Sequence, residues 1–151
     1  MSSTNHEIFR QFVKLYWNLS RDMNYIWKDI FNRQFPGSQS HILFLLERNG
    51  PKKMSEVAEL LHLTPGAVTT ASDKLIEHGY IARIRDEQDR RVVYLEMTSK
   101  GREAITELQE EGRMAMKKVF SHLSDKDLEF LMGTFEQAIQ NISDLRKEYD
   151  T

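Results

Sequence analysis

Apolar residues at intervals of three and four predict a long amphipathic helix at the start of the chain, from about Thr4 to Arg33. The stripe consists of Ile8, Phe12, Leu15, Leu19, Met23, Ile26 and Ile30. Thr4 or Asn5 can cap its first turn, and Pro36-Gly37 ends it. Because a helix of about 30 residues is about 45 Å long, one small core cannot cover it. Part of its apolar face is therefore expected to meet a second subunit.

A second helix is predicted from Gln39 to Arg48. Ser38 offers its N-cap, and Asn49-Gly50-Pro51 ends it because Asn or Gly adopts the left-handed position and Pro cannot continue a helix. Lys52-Lys53-Met54 can then add a short strand.

Two short helices joined by a tight turn follow. The third helix, Glu56 to Leu61, is predicted to begin at a Ser55 cap. The fourth begins with Thr64 as N-cap and Pro65 in the first helical position, where the missing N–H costs nothing. This spacing is typical of a helix-turn-helix.

The outer face of the fourth helix is slim. It carries Gly66, Thr69, Thr70, Asp73 and Lys74. A helix enters a major groove about 12 Å wide only if its outer face is narrow near the N-terminus, and the positive helix end can approach a phosphate. An ordinary solvent-facing helix that is rich in Thr is the alternative.

A charged hairpin comes next. Ile81 to Arg85 and Val92 to Met97 alternate as strands do, and the loop between them ends in Arg90-Arg91. Arginines at such a tip suit insertion into a minor groove. A solvated tip is the alternative, but the helix-turn-helix directly before the hairpin favours contact with DNA.

Two further helices complete the chain. Thr98 is predicted to cap one that runs to about His122, and Ser124-Asp125-Lys126-Asp127 is a capping box that opens the last. The last helix has a heptad pattern at Leu128, Leu131, Phe135, Ala138, Ile142, Leu145 and Tyr149. This pattern indicates a narrow helix–helix seam. The first, fifth and last helices are best explained as a shared dimer layer.

The predicted fold is mainly α with a small β-wing, a winged helix-turn-helix core with N- and C-terminal dimerisation helices. We divide the chain into a first dimerisation helix over residues 1–36, a DNA-binding lobe over 37–101 and the C-terminal dimerisation helices over 102–151.

Composition excludes several kinds of site. The absence of cysteine removes disulfides and thiolate chemistry, and no two of the five histidines have the i, i+4 spacing of a helical zinc site. We therefore predict no metal and no cofactor. No nucleophile motif or glycine-rich phosphate loop is present, so an enzyme is not expected.

Charge and hydropathy give less information about the function. From Asn49 to Gly101, eight Lys and Arg residues face eight Asp and Glu residues, and the formal net charge of the chain is -2. Charge balance alone does not indicate DNA. No apolar run reaches the roughly 20 residues of a membrane span, and the N-terminus lacks a signal pattern. A cytoplasmic protein without a membrane partner is expected.

Five motifs in this order resemble the MarR family of bacterial winged-helix transcriptional regulators. They are Leu63–Thr69, Asp73-Lys74-Leu75, Gly79-Tyr80-Ile81, Asp89-Arg90-Arg91 and Met97–Gly101. The resemblance covers essentially the whole chain, and the wing is its most specific part. It implies a homodimer with interdigitated terminal helices, recognition helices in major grooves and wings in the flanking minor grooves of a pseudo-palindromic site.

The resemblance also implies roles for residues. Pro65, Gly66, Thr69 and Thr70 match recognition-helix contacts, Asp73 a bracing position, and Arg91 the wing arginine that Asp89 orients. The whole candidate DNA-binding set is Ser38, Gln39, Pro65, Gly66, Thr69, Thr70, Asp73, Lys74, Asp89, Arg90 and Arg91. Many members carry Arg where this chain has Thr70, and Thr can make only one weaker contact or touch a thymine methyl. Specificity is then expected to depend more on Thr69, Lys74, the wing or DNA shape.

Many members are repressors that small phenolic or lipophilic molecules release. Phe12, Tyr16, His41 and Phe44 are candidates to line such an effector pocket, with core or interface packing as the alternative. A second hypothesis for the whole chain is a dimeric helical adaptor that uses the winged fold to bind protein.

Overall fold

The predicted fold is confirmed by the computed structural model, which describes residues 3–149. In this part of the chain, six α-helices and a small sheet follow one another in the expected order. The elements are α1 (Ser3–Asn32), α2 (Ser38–Asn49), β1 (Lys52–Lys53), α3 (Met54–Leu60), α4 (Pro65–Glu77), β2 (Ile81–Arg85), β3 (Val93–Met97), α5 (Ser99–Val119) and α6 (Asp125–Tyr149).

Three of the predicted helix caps are confirmed. Thr64 Oγ1 accepts the Ala67 N–H at 3.1 Å and opens α4, and Thr98 Oγ1 accepts the Gly101 N–H at 3.1 Å. The capping box before α6 forms in both directions, since the Ser124 N–H donates to Asp127 Oδ2 at 2.9 Å and the Asp127 N–H to Ser124 Oγ at 3.2 Å. Each cap depends on residues three apart, which is why the sequence pattern identified it.

Other predicted caps are wrong. Ser38 is already the first residue of α2, and its N-cap is Gly37, whose φ of 63° suits glycine. Ser55 lies inside α3, which begins one residue earlier because Lys53 is still extended and paired with Tyr94 in the sheet. Thr4 and Asn5 lie within α1, whose described part begins at Ser3.

The wing is a three-stranded antiparallel sheet in the order β1-β3-β2. β2 and β3 pair from Ile81 opposite Met97 to Arg85 opposite Val93, and Lys52 of β1 lies opposite Leu95 on the other edge of β3. Leu95 is fully buried. The wing is thus anchored at its base, while its loop extends beyond the last pair.

A core forms beneath α4. The largest buried apolar side chains are Phe35, Ile42, Leu43, Val57, Val68, Leu75, Ile81, Leu95 and Ile105. They come from several helices and the sheet, so burial fixes which face of α4 points inward. Ser72 is also fully buried there, and its hydroxyl is the one buried side-chain group between residues 3 and 149 that has no hydrogen-bond partner.

The chain divides into two compact units, the first ending at Met114 and the second beginning at Ala115, so that α5 crosses the boundary. In the first unit, Leu15 of α1 is 67% exposed, whereas Ile30 near the end of that helix is buried. In the second unit, α6 has no buried residue and its heptad positions are largely exposed. Across residues 3–149, we find no helix with the length and apolar character that a bilayer crossing requires.

Candidate nucleic-acid interface

The outer face of α4 is exposed and slim. Thr69, Thr70 and Lys74 are exposed, whereas Val68 and Leu75 on the other face are buried. A Cβ atom added at Gly66 would meet nothing within 4 Å. The backbone of the first turn can therefore approach a partner closely, as entry into a major groove requires.

Both threonine hydroxyls of this face are hydrogen-bonded within the helix. Thr69 Oγ1 donates to the Pro65 carbonyl and Thr70 Oγ1 to the Gly66 carbonyl, each at 3.0 Å. This is the i−4 bond that Ser and Thr often make in helices. It leaves the threonine methyl groups and hydroxyl lone pairs for an incoming molecule.

Asp73 connects the helix to the wing. Arg83 Nη2 of β2 donates to Asp73 Oδ1 at 2.8 Å. Both side chains are more than a third exposed, so the pair contributes only about 0–1 kcal/mol to stability. Its main effect is geometric, since it holds β2 against the exposed side of α4. Arg83 was absent from the sequence-predicted set, because nothing local marks its partner ten residues earlier.

The tip of the wing holds Arg91 through Asp89. Arg91 Nε donates to Asp89 Oδ1 at 3.1 Å and Nη2 to Oδ2 at 3.2 Å, and the Arg91 backbone N–H also donates to Oδ1 at 3.1 Å. The Arg91 side chain nevertheless remains 91% exposed. A two-point contact of this kind orients the guanidinium while leaving it accessible.

Further contacts shape the loop behind the tip. Asp86 Oδ1 accepts the backbone N–H groups of Gln88 and Asp89 at 2.8 and 3.0 Å. Arg85 Nη1 donates to the Arg90 carbonyl at 3.1 Å. The charged loop is thus folded by its own side chains, as Asp in turns commonly does.

We predict an unusually acidic titration for Asp89. Hydrogen bonds from the side chain and backbone of Arg91 hold the Asp89 pKa below the usual value of an aspartate side chain. Because the folded pKa is lowered, the contact is fully present above the ordinary carboxyl pKa and is lost as pH falls through the lower folded value. Carboxyl-carbon NMR should show a titration midpoint for Asp89 below that of an ordinary aspartate, and Arg91→Ala should return the midpoint to the ordinary range. An unchanged midpoint in the variant would contradict the assignment.

Tyr80 joins the elements around the base of the interface. Its ring packs edge-on against Phe35 with centroids 4.8 Å apart, and its hydroxyl accepts a hydrogen bond from Gln34 Nε2 at 3.0 Å. Lys100 Nζ lies 4.8 Å from the ring centroid and donates to the His78 carbonyl at 2.6 Å. The end of α4, the start of the wing and the start of α5 therefore meet at one side chain. Sequence reasoning placed Tyr80 in a motif but did not identify this role.

Ser38 and Gln39 lie beside the recognition helix. A groove of about 370 Å³ is lined by Pro36, Ser38, Gln39, Gly66, Ala67, Thr70, Ala71 and Lys74. The structure thus brings the beginning of α2 next to the exposed side of α4. The eleven candidate DNA-binding residues fall into two groups. One group lies at the start of α2 and on α4, and the other, Asp89 to Arg91, lies at the wing tip.

A separate cavity of about 730 Å³ lies between α1, α2 and the turn before α4. It is lined by Asn24, Trp27, Lys28, Phe31, Asn32, Gly37, Ser38, Ser40, His41, Phe44, Leu61 and Leu63. Two of the predicted ligand residues, His41 and Phe44, are therefore in its wall. The other two, Phe12 and Tyr16, are not among the lining residues and lie exposed on α1.

Aromatic packing shapes this cavity. Phe31 lies edge-on to Phe44 with centroids 4.7 Å apart, and Trp27 stacks on Phe31 at 5.5 Å. Phe31 was missed as a lining residue because the α1 stripe by itself does not show where the second helix crosses it. Between residues 3 and 149, no three His, Asp or Glu side chains lie together as a metal site would require.

Sequence comparison with known proteins agrees with the predicted resemblance to the MarR family. Residues 36–93 match the sequence model of the MarR family. The uncharacterized HTH-type transcriptional regulator YpoP of Bacillus subtilis is 28% identical over 109 residues, covering 72% of this chain and 77% of YpoP. The HTH-type transcriptional repressor MdtR of the same organism is 32% identical over 91 residues, covering 60% of this chain and 59% of MdtR.

The fold has a matching solved structure. A MarR family protein from Bacillus stearothermophilus superposes with a TM-score of 0.76 at 20% identity, covering 91% of this chain and 97% of that one. At this level of identity the similarity concerns the fold.

Proposed function

The chain belongs to the MarR family of DNA-binding transcription regulators, and we propose that it is a repressor that binds a pseudo-palindromic operator as a homodimer and is released by a small molecule. The observation that carries the proposal is the exposed, slim face of α4 in the same unit as the accessible Arg91 of the wing. Similarity to the repressor MdtR, which is 32% identical over the matched region, supports repression over activation. We also propose the division into residues 1–36, 37–101 and 102–151 as the functional regions.

The exposed apolar helices support dimerisation. Phe12 and Leu15 of α1 are 59% and 67% exposed, and Phe135 and Ile142 of α6 are also exposed. Single chains rarely leave apolar stripes of this length open to water. Two-fold pairing of such helices would let two recognition helices reach successive major grooves about 34 Å apart.

In this proposal α4 enters the major groove and the wing the adjacent minor groove. Arg91, oriented by Asp89, is placed for the negative potential of a minor groove, and Arg90 adds charge beside it. Lys74, with Ser38 and Gln39 at the start of α2, is assigned to the phosphate backbone. Pairing of Asp73 with Arg83 sets the angle between helix and wing.

The cavity beside α2 is the proposed effector site. Phe31 and Phe44 supply apolar walls, and His41 and Lys28 are polar groups for a phenolic molecule. Leu61 and Leu63, at the end of α3 and in the turn before α4, also line it, so a ligand there would contact the segment that positions the recognition helix. Release of DNA by a phenolic compound, weakened in Phe44→Ala, tests this part of the proposal.

Arg91→Ala tests the DNA-binding assignment. Removing the wing guanidinium should cost about 1–3 kcal/mol of DNA affinity and reduce the slope of log affinity against log salt by about one. Fluorescence anisotropy of a labelled duplex, titrated at several salt concentrations, measures both. Lys126→Ala removes the same charge from exposed α6 and should leave both quantities unchanged.

The outcomes of these measurements distinguish DNA binding from the adaptor hypothesis. Equal affinity and slope in Arg91→Ala and the unaltered protein would show that the wing does not contact DNA. If no member of a randomised duplex library is retained, the adaptor hypothesis is favoured instead.

A further inference from the structure

Apart from Lys74, the exposed face of α4 lacks the side chains that usually read purines. Pro65–Glu77 contains no Arg, Asn or Gln, which together with Lys are the residues that form paired hydrogen bonds to guanine or adenine in the major groove. Lys74, which the proposed function assigns to the phosphate backbone, is the one cation of this helix, and it lies four residues, about 6 Å along the helix axis, beyond Thr70. Base pairs beneath the first two turns therefore meet Thr69 and Thr70.

The hydrogen bonds of these threonines determine which of their groups can contact a base pair. Each hydroxyl proton is donated to a carbonyl of the preceding turn, Pro65 or Gly66, at 3.0 Å. Only oxygen lone pairs and the methyl groups then remain. A lone pair can accept a hydrogen bond from adenine N6 or cytosine N4, but it gains nothing from the O6 and N7 acceptors of guanine.

An A·T pair matches both remaining groups. Adenine supplies the N6 donor and its partner thymine supplies a C5 methyl, whereas a C·G pair supplies a donor without a methyl. Gly66 adds no side chain between the helix and the groove, because the space where its Cβ would lie is empty within 4 Å. Asp73 is engaged by Arg83 at 2.8 Å and is drawn toward the wing.

We propose that Thr69 and Thr70 make α4 a reader of A·T pairs, with thymine methyl contacts as the main source of discrimination. The operator half-site should then carry A·T pairs beneath the first two turns of α4. This inference rests on the DNA binding proposed above and specifies the class of sequence that is bound.

The experiment begins with selection from a randomised DNA duplex library. Selected half-sites should share A·T pairs at the positions protected by α4. Replacing thymine by deoxyuridine at these positions removes only the methyl group and should weaken binding about fourfold per contacted methyl, equivalent to about 0.8 kcal/mol for a buried methylene-sized group. Replacing guanine by 7-deazaguanine within the same positions of the library should not alter the selection.

Matched variants separate the methyl group from the hydroxyl. Thr70→Val keeps a branched apolar side chain without the hydroxyl and should still prefer thymine over deoxyuridine. Thr70→Ser keeps the hydroxyl without the methyl and should lose part of that preference. Thr70→Arg supplies a guanidinium fork and should shift selection toward guanine at one position. Circular dichroism and size-exclusion chromatography check that each variant remains folded and assembled.

The results distinguish this inference from the proposed function. Strong selection of G·C pairs beneath the first two turns of α4, or equal affinity for thymine and deoxyuridine duplexes, would overturn the base recognition by Thr69 and Thr70 and leave the proposed DNA binding intact. Failure to enrich any sequence, with uniformly weak binding at low salt, would overturn both. A loss of thymine preference in Thr70→Ser and its retention in Thr70→Val would support the inference.

Discussion

Alanine in place of Gly101 is expected to destabilise the fold by about 3 kcal/mol, the upper part of the usual range for overpacking. A Cβ atom built on Gly101 would lie 2.1 Å from the Tyr80 carbonyl oxygen and 3.1 Å from Met97 Cγ. The first contact is with backbone, which cannot rotate away as a flexible side chain can. The start of α5 or the start of the wing must therefore move.

Neighbouring hydrogen bonds make that movement costly. The Tyr80 carbonyl accepts the Thr98 N–H at 3.1 Å. Thr98 Oγ1 in turn donates to the Gly79 carbonyl at 2.6 Å and accepts the Gly101 N–H. Displacing Tyr80 thus disturbs the cap of α5 and the exit from α4 together, because these bonds share the same few atoms.

Urea unfolding followed by circular dichroism measures the effect of Gly101→Ala. Gly66→Ala is the matched control, since Gly66 is also helical but its Cβ would meet nothing within 4 Å. It should be neutral or stabilising by up to about 1 kcal/mol. Equal free energies of unfolding for Gly101→Ala and the unaltered protein would show that the two segments are not packed as described.

Leu15→Asp is expected to convert the proposed dimer to a monomer and lower operator affinity by about 100-fold or more. Leu15 is 67% exposed in the single chain, and in the proposed dimer it is covered by apolar surface of the second copy. Burying an unpaired carboxylate there is strongly unfavourable. A monomer would contact the operator through only one recognition helix. It would therefore lose the gain in affinity that two linked contacts provide, which is typically about 10²- to 10⁴-fold.

Sedimentation equilibrium measures the assembly, and anisotropy of a labelled operator duplex measures the affinity. Lys14→Asp is the control because it introduces the same carboxylate into α1 at an exposed position that lies about 100° from Leu15 around the helix, away from the apolar stripe. It should leave both the dimer and DNA binding intact. If Leu15→Asp sediments as a dimer, the α1 stripe is not the interface.

Local chemistry made much of the fold predictable. Thr64 and Pro65 identify the start of α4 because a side-chain oxygen and a missing N–H suit a helix N-terminus. The alternation of β2 and β3 predicted the wing, and its register was consistent with burial of Leu95 and Met97. Ser38 and Ser55 show the limit of such signals, because the neighbouring Gly37 and the strand pairing of Lys53 moved the helix starts.

Sequence motifs predict the candidate DNA-binding residues, and the structure adds the contacts between them. The Asp89–Arg91 contact was predictable because the two residues are close in sequence. The Asp73–Arg83 pair was not, since it depends on how β2 leaves the end of α4. His41 and Phe44 line the cavity, whereas Phe12 does not. This difference also depends on where α2 crosses α1, which the sequence does not show.

The sequence by itself determined the helices, the wing, the residue types on the outer face of α4 and the resemblance to a family of regulators. These follow from interactions among residues a few positions apart and from periodic burial. Only the tertiary structure decided the junction at Tyr80, the brace from Arg83 and the composition of the cavity. Such contacts join segments far apart in the chain, so they depend on the packing of whole elements and leave no periodic signal in the sequence.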